Sequence, residues 1–258
     1  MPNQQSILFL THLIDERVLR RFQHLYESAH NQYDIYFGWH CENTEAYIVP
    51  SINYDHIYTF CFNDLLSLNY SPHGNSIYHN TNYVMQKFRK DYPQYKYYWF
   101  VEYDVVFTGD WRILFDHYAN KSYDFISSHI EFHDETNNQW CWWSRTFWGN
   151  VKLPKHALLK SFNPICRYSD LALDFLDQFL QKGVNGHFET IIATALYNYD
   201  YSIIDMSEHS MFKEEGEHIS FYQKEKGINK GTIRWRPVFG IEEIMERSAE
   251  NILYHPVK

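Results

Sequence analysis

Two carboxylates one residue apart, Glu102 and Asp104, follow an apolar run of the chain. Residues 97–101 are aromatic or β-branched, which is typical of a buried strand. Alternation along a continuing strand would place Glu102 and Asp104 on the same side. Adjacent like charges at the end of a buried strand are costly unless a cation or strong donors hold them. The pair therefore indicates an oxygen-lined site for Mg²⁺ or Mn²⁺. The alternative is that the strand ends at Val101 and both acids are solvated turn residues.

The elements around this pair alternate between strand and helix patterns. We expect strands at residues 6–10, 33–37, 57–62, 97–101, 123–127, 158–164 and 201–205. We expect helices at residues 15–29, 77–92, 111–118, 169–180, 186–199 and 241–247. This alternation predicts an α/β sandwich with a mostly parallel central sheet. The sequence shows no repeat and no linker, so one domain over residues 1–258 is the simplest interpretation.

Composition narrows the class of protein. A net charge of −9 and a pI near 5.9 argue against a nucleic-acid partner. The four cysteines are far apart, which argues against structural zinc and a disulfide framework and favours a cytoplasmic protein. Neither a signal segment nor a run of eighteen apolar residues is visible, so no spanning helix is expected, while peripheral membrane contact stays open. Aromatic residues make up 19% of the chain, and such side chains often line sugar-binding sites.

The acid pair and its surroundings resemble the nucleotide-sugar glycosyltransferases of the GT-A type. These enzymes place an Asp-x-Asp-like pattern at the end of a central strand, where it binds a divalent metal on the donor diphosphate. Here the pattern stands as Glu102-Tyr103-Asp104 after an N-terminal β-α-β unit, with Glu in place of the first Asp. The resemblance implies a GT-A (Rossmann-like) three-layer sandwich. It implies that Asp104 binds Mn²⁺ or Mg²⁺, whereas Glu102 contacts the ribose or a metal-bound water.

The resemblance also gives roles to two residues of the C-terminal segment. His255 is expected to complete the metal shell, since imidazole can ligate Mn²⁺. Lys258 is expected to neutralise phosphate as a point charge. The resemblance divides the domain into a nucleotide-sugar-binding half, 1–107, and an acceptor-binding half, 108–258, which carries this metal and phosphate tail. The alternative is a polar tail without a ligand.

A catalytic base is implied as well. Inverting enzymes of this type use an acidic residue at the start of a helix, after a short glycine-containing loop, to deprotonate the acceptor hydroxyl. Gly186 and Glu189 match that placement, with Glu189 in the first helical turn and His187 as a lesser candidate. The alternative is that Glu189 only compensates the helix dipole. A retaining enzyme would not need this base, so the stereochemistry stays open.

Several further residues are weaker candidates. Thr11 and His12 follow the first strand, where the nucleotide pocket of the resembled family begins. Asp55 and Asn82 are candidates for contacts with the nucleobase or the ribose of the donor. Two interpretations are open for Trp140, Trp142, Trp143 and Trp148: an acceptor platform or a packed core segment. Phosphate contacts or surface ion pairs are the open choice for Arg145, Arg167, Arg234 and Arg236. A loop that closes over the donor would contain His209 and His218.

Taken together, these residues lead us to expect a metal-dependent glycosyltransferase. The donor would be a nucleotide-diphosphate sugar, with UDP favoured, and the acceptor a hydroxyl of a glycan or a lipid-linked glycan, as in polysaccharide biosynthesis. We expect an inverting reaction in the cytoplasm, with contact to the inner face of the membrane left open. The alternatives are a metal-dependent hydrolase or phosphatase, and a non-catalytic carbohydrate-binding protein. The sugar, the linkage and the oligomeric state are not readable from the sequence.

Overall fold

The computed structural model describes residues 4–42, 56–134, 140–151, 158–227 and 229–258. Its strands are β1 (Gln5–Thr11), β2 (Asp34–His40), β3 (Ile57–Phe60), β4 (Tyr97–Glu102), β5 (Val106–Phe107), β6 (Phe125–Phe132), β7 (Leu159–Ser169), β8 (Ile203–Asp205) and β9 (Leu253–Tyr254). Its α-helices are α1 (Glu16–Ala29), α2 (Phe62–Leu66), α3 (Thr81–Asp91), α4 (Trp111–Ala119), α5 (Asp170–Leu180), α6 (Phe188–Asn198) and α7 (Ile241–Arg247). Among the described residues, no helix combines the length and the apolar character needed to cross a bilayer.

Seven strands form one central sheet in the order β3-β2-β1-β4-β7-β6-β8. Only β7 runs antiparallel to its neighbours β4 and β6, so the prediction of a mostly parallel sheet is confirmed. Successive residues of β1 enter opposite cores, with Ile7 and Phe9 on one face and Leu8 and Leu10 on the other. This burial on both faces explains why the strand reads as a continuous apolar run.

Helices cover both faces of this sheet. The core on one face includes side chains of α1 and α4, and the core on the other face includes side chains of α3, α5 and α6. The predicted three-layer α/β sandwich is therefore confirmed. Strands of the sheet come from both 1–107 and 108–258. The single-domain interpretation of 1–258 stays a prediction.

The helix predicted over residues 77–92 is broken at Asn80. A 3-10 turn, Ile77–His79, precedes α3, and Asn80 between them has φ −128° and ψ 29°. The Asn80 amide group bonds backbone atoms of His73 and Ser76, which stabilises the break. This is local side-chain competition with the helix ladder. The break leaves Tyr78, in the turn, 58% exposed.

The strand that carries the acid pair ends at Glu102, so Asp104 lies in the following turn, where Val105 N–H donates to Glu102 O at 3.0 Å. The strand does not continue to Asp104, so alternation does not align the two acids, although both line the same cleft. Beyond the turn, β5 pairs antiparallel with β9 in a second, two-stranded sheet. Val257 N–H donates to Asp104 O at 2.9 Å. Backbone hydrogen bonds thus bring the C-terminal segment against the acidic turn.

Candidate active site

A cleft of about 1750 Å³ opens at the carboxyl ends of β1 and β4. This is where ligands bind in open α/β sheets. The cleft is lined by seven residues central to the sequence prediction: Thr11, His12, Glu102, Asp104, Glu189, His255 and Lys258. Pockets for one small molecule usually measure about 300–1,000 Å³, so this volume suits two substrates at once.

Glu102, Asp104 and His255 form a compact cluster in the cleft. His255 Nε2 lies 3.6 Å from Glu102 Oε2 and 3.5 Å from Asp104 Oδ1. One ligand atom from each residue lies within 4.8 Å of the other two. His255 Nδ1 lies 3.0 Å from Arg234 O, and donation to that carbonyl leaves Nε2 facing the carboxylates.

The donor set of this cluster fits a divalent cation. Asp104 Oδ1 is buried and has no hydrogen-bond partner among the described residues. A buried carboxylate oxygen without a partner is costly unless a cation approaches it. Two carboxylates and one imidazole are ligands that Mn²⁺ accepts. The residues present therefore match the metal that the sequence implied.

The electrostatics of the cluster favour added positive charge. Burial raises the pKa of Glu102, the Asp104 charge raises it further, and the hydrogen bond with His255 lowers it. Burial lowers the pKa of His255, but the charges of Asp104 and Glu102 outweigh burial and raise it overall. The pKa values of Glu102 and His255 are thus both raised overall, as expected where negative charge is confined in a buried site. A cation at the cluster would relieve that repulsion.

Helix α1 and the C-terminal segment hold the acidic turn in place. Arg21 Nη1 donates to Tyr103 O and to Val257 O, both at 3.1 Å. The ring of His12 meets the Tyr103 ring edge-on at 5.1 Å. The Thr11 hydroxyl makes a local hydrogen bond, in which its Oγ1 donates to Leu13 O at 2.7 Å. Thr11 therefore shapes the start of the cleft through the backbone.

Glu189 lies in the first turn of α6, where the sequence analysis places it, and its side chain is buried. His187 Nδ1 lies 3.5 Å from Glu189 Oε2. Burial raises the pKa of Glu189 well above its usual value, and the negative charge of Glu102 adds to the effect. Burial lowers the pKa of His187 to about 3, so this imidazole is neutral near pH 7. The carboxyl of Glu189 thus responds to the acid cluster across the cleft.

The loop before Glu189 is packed against the tryptophan-rich segment 140–151. Phe147 and Asn185 exchange two backbone hydrogen bonds of 2.6 and 2.7 Å. Gly186 has φ +143°, and a Cβ at this position would lie 2.7 Å from Thr146 Cα. Only glycine allows this close approach with that backbone conformation. The two segments therefore form one wall of the cleft.

The four tryptophans of this segment divide into two pairs. Trp140 and Trp142 line the cleft, and Trp142 stacks on His187 with ring centroids 4.0 Å apart. Trp143 packs on His133, and Trp148 packs against the core. A four-tryptophan acceptor platform is therefore wrong. Of the cleft-lining pair, Trp142 already gives one face to His187.

Arg167 is fully buried in β7, and its predicted role as a phosphate ligand or surface ion pair is wrong. Its guanidinium donates to three backbone carbonyls at the end of α4 and just beyond it, those of Tyr118, Lys121 and Tyr123. Its Cζ lies 4.2 Å from the Tyr97 ring centroid. Burial lowers the pKa of Arg167 to about 10. This arginine stabilises the fold away from the cleft.

The other weak candidates are distributed around the molecule. Arg236 and His209 line the cleft, whereas Arg145, Arg234, His218 and Asn82 are not among its lining residues. The backbone carbonyl of Arg234 contacts His255 Nδ1. Its guanidinium carbon lies 3.5 Å from the Phe239 ring centroid. Asp55 lies outside the described residues.

Sequence reasoning missed a charged pair in the cleft wall. Lys160, in β7, is buried and lines the cleft, with its Nζ 2.9 Å from Glu131 Oε2 and 5.5 Å from the Trp140 ring centroid. Lys224 reaches the same Glu131 at 3.4 Å. The available signal was a lysine inside a predicted strand, since buried lysines are nearly always paired.

Comparison with known proteins gives only distant structural similarities. No protein-family model matches the sequence, and the search of curated proteins gives no match. A glycosyltransferase involved in glycosylation of the major capsid of PBCV-1 is 8% identical, with a TM-score of 0.42 and coverage of 97% of this chain and 91% of that chain. Mouse xyloside xylosyltransferase 1 is 8% identical, with a TM-score of 0.41 and coverage of 80% and 85%. Core-mannan synthase A from Aspergillus fumigatus, in a Mn/GDP form, is 10% identical, with a TM-score of 0.38 and coverage of 80% and 73%.

Proposed function

We propose that this protein is a metal-dependent glycosyltransferase. It moves a sugar from a nucleotide-diphosphate sugar, with UDP-sugars favoured, to a hydroxyl of a glycan or a lipid-linked glycan. The observation that carries the proposal is the convergence of Glu102, Asp104 and His255 in a cleft that also contains Glu189. We also infer a single domain over 1–258 and a cytoplasmic role in polysaccharide biosynthesis.

The roles follow from residue chemistry. Asp104 and His255 hold Mn²⁺ or Mg²⁺, and Glu102 contacts the ribose or a metal-bound water. The bound cation supplies stabilisation of negative charge on the leaving diphosphate. Lys258 neutralises phosphate as a point charge, and His12 lies beside the nucleotide. These assignments use residues that line one cleft.

The reaction is a displacement at the anomeric carbon of the donor sugar. The acceptor oxygen forms a new bond to that carbon, and the bond from carbon to the diphosphate oxygen breaks. The nucleoside diphosphate leaves with the electron pair, and Glu189 accepts the acceptor proton. Burial is the main cause of the raised pKa of Glu189, and the charge of Glu102 adds to it. Offsetting that charge lowers the pKa of Glu189 toward the range in which a general base operates.

Thermal unfolding with nucleotide sugars tests this proposal. UDP-sugars and GDP-sugars are added with and without Mn²⁺, because a donor that binds only the folded state raises Tm. We expect a rise that requires both nucleotide and metal. Asp104→Asn should abolish it, whereas Glu189→Gln should keep donor binding and lose sugar transfer by about 10²–10⁴-fold.

Glu217→Gln provides the matched control, since Glu217 belongs to a second acidic cluster outside the cleft lining. This variant should behave as the wild type in donor binding. No Tm shift with any nucleotide sugar would reject the glycosyltransferase proposal. Normal transfer by Glu189→Gln would reject only the assignment of the base.

A further inference from the structure

Two half-exposed aromatic side chains line the cleft. Tyr78 is 58% exposed and Trp235 is 50% exposed, and both line the cleft. An isolated exposed aromatic residue is ordinary, but two in one concave site are not explained by packing. Tyrosine and tryptophan each combine an apolar face with a polar tip, as sugar rings do.

Trp235 is held beside the candidate metal ligand. Its neighbour Arg234 makes two backbone contacts with His255: Arg234 N–H donates to His255 O at 3.0 Å, and Arg234 O lies 3.0 Å from His255 Nδ1. The position of Trp235 is therefore coupled to that of the imidazole.

Tyr78 is held beside the candidate base. Its ring centroid lies 6.5 Å from that of His187, which precedes α6. The segment before Tyr78 is tied to the same loop, because Asn185 Nδ2 donates to Pro72 O at 2.9 Å. Burial raises the pKa of Tyr78, the charges of Glu189 and Glu102 raise it further, and a hydrogen-bonding interaction with Trp235 lowers it. The Tyr78 hydroxyl therefore responds to Glu189 and Glu102 and also to the indole of Trp235.

We propose that Tyr78 and Trp235 together contact the transferred sugar and determine which donor sugar is accepted. This inference rests on the proposed function. In that reaction, the anomeric carbon lies between the diphosphate at Asp104 and His255 and the acceptor hydroxyl at Glu189. Trp235 follows Arg234, which is bonded to His255, and Tyr78 lies beside His187, so the pair is tied to both ends of this interval. Its apolar faces pack on the C–H face of a pyranose, and its hydroxyl and N–H groups bond sugar hydroxyls.

The test separates binding of the sugar from binding of the nucleotide. Calorimetry in Mn²⁺ gives Kd for UDP and GDP and for UDP-glucose, UDP-galactose and GDP-mannose. We expect Tyr78→Phe and Trp235→Leu to leave Kd for the nucleoside diphosphate unchanged. We expect the affinity gained from the sugar to fall by about 3- to 10-fold, the size of one aromatic contact or hydrogen bond.

The matched controls are Tyr199→Phe and Met245→Ala, which change exposed residues that do not line the cleft. Both should leave every Kd unchanged, and circular dichroism checks that all variants fold. Equal weakening of nucleotide and nucleotide sugar in Tyr78→Phe and Trp235→Leu would overturn the inference, as would no change in either. Absence of nucleotide binding in the wild type would instead overturn the proposed function.

Discussion

Among the described residues, two clusters combine one histidine with two carboxylates, and they differ in whether a protein cation lies between the carboxylates. In the cleft, Glu102 and Asp104 have no lysine or arginine ion-pair partner among the described residues. The second cluster, His117, Glu214 and Glu217, surrounds the ammonium of Lys121. Lys121 Nζ contacts Glu214 Oε2, lies 3.1 Å from Glu217 Oε2 and lies 2.9 Å from His117 Nε2.

Residue types and mutual distances alone therefore do not identify a metal site. A protein ammonium already balances the second cluster, and it ties Glu214 and Glu217 to the segment just beyond α4. In the cleft cluster, one carboxylate oxygen remains buried without a hydrogen-bond partner. An internal cation stabilises structure, whereas uncompensated charge in a cleft is available to a ligand.

The largest contrast is expected in Mn²⁺ affinity. Asp104→Asn removes a negative ligand from the cleft cluster and should weaken Mn²⁺ binding by at least about 100-fold, beyond the 10–100-fold typical of residues outside the ligand shell. Glu217→Gln should leave this affinity unchanged. Electron paramagnetic resonance titration of free Mn²⁺ measures both. Equal losses in the two variants would show that the clusters share one role.

Loss of the ammonium from the second cluster should reduce the stability of the fold. Lys121→Met leaves Glu214 and Glu217 without their ammonium partner and should lower the free energy of unfolding by about 1–3 kcal/mol. Lys87→Met breaks a helical i,i+4 pair with Asp91, which is worth about 0–1 kcal/mol. Urea denaturation compares the two. A smaller loss of unfolding free energy in Lys121→Met than in Lys87→Met would contradict a stabilising role of the second cluster.

Removing the internal cation should convert the second cluster into a weak metal site. In Lys121→Ala, the one histidine and two carboxylates lose their ammonium, and Zn²⁺ can occupy the space. Zinc at ten times its Kd would then restore about 1.4 kcal/mol of stability. Thermal unfolding of this variant in Asp104→Asn background measures the effect without the cleft site. An unchanged Tm with Zn²⁺ would mean that the geometry, and not the ammonium, excludes metal.

The smallest effect concerns acid stability. Burial raises the pKa of Glu217, but backbone hydrogen bonds and Lys121 lower it overall to about 2 from an unfolded value near 4.5. Its contribution is therefore complete above about pH 4.5 and is lost as pH falls toward 2. Glu217→Gln should flatten the pH dependence of Tm in this interval. A parallel loss in wild type and variant would assign the acid sensitivity to other groups.

The sequence predicted those features that depend on local pattern. The β1-α1-β2 start and the helix that begins near Ser169 follow from residue types over short distances. The place of Glu102 was also predictable, because ligands bind in α/β sheets beyond the carboxyl ends of strands. The place of Glu189 was implied only by the family resemblance.

Features that depend on distant partners were not predictable. The partners of Arg167 are carbonyls from another part of the chain, so its charge alone suggested an exposed residue. The helix break at Asn80, which exposes Tyr78, depends on bonds that the 3.6-residue pattern does not contain. Lys121 and Glu217 are 96 positions apart, and nothing local marks them as neighbours.

The pairing of β5 with β9 also has a consequence for the order in which the protein is made. Thr108 and Ile252 are bonded although they are 144 positions apart. A growing chain therefore exposes Glu102 and Asp104 from the ribosome long before His255. The parallel core of β1, β2 and β4 can pair during synthesis, whereas the three-residue cluster must wait for the last strand. We therefore expect metal binding at this cluster to require synthesis of the segment that carries His255.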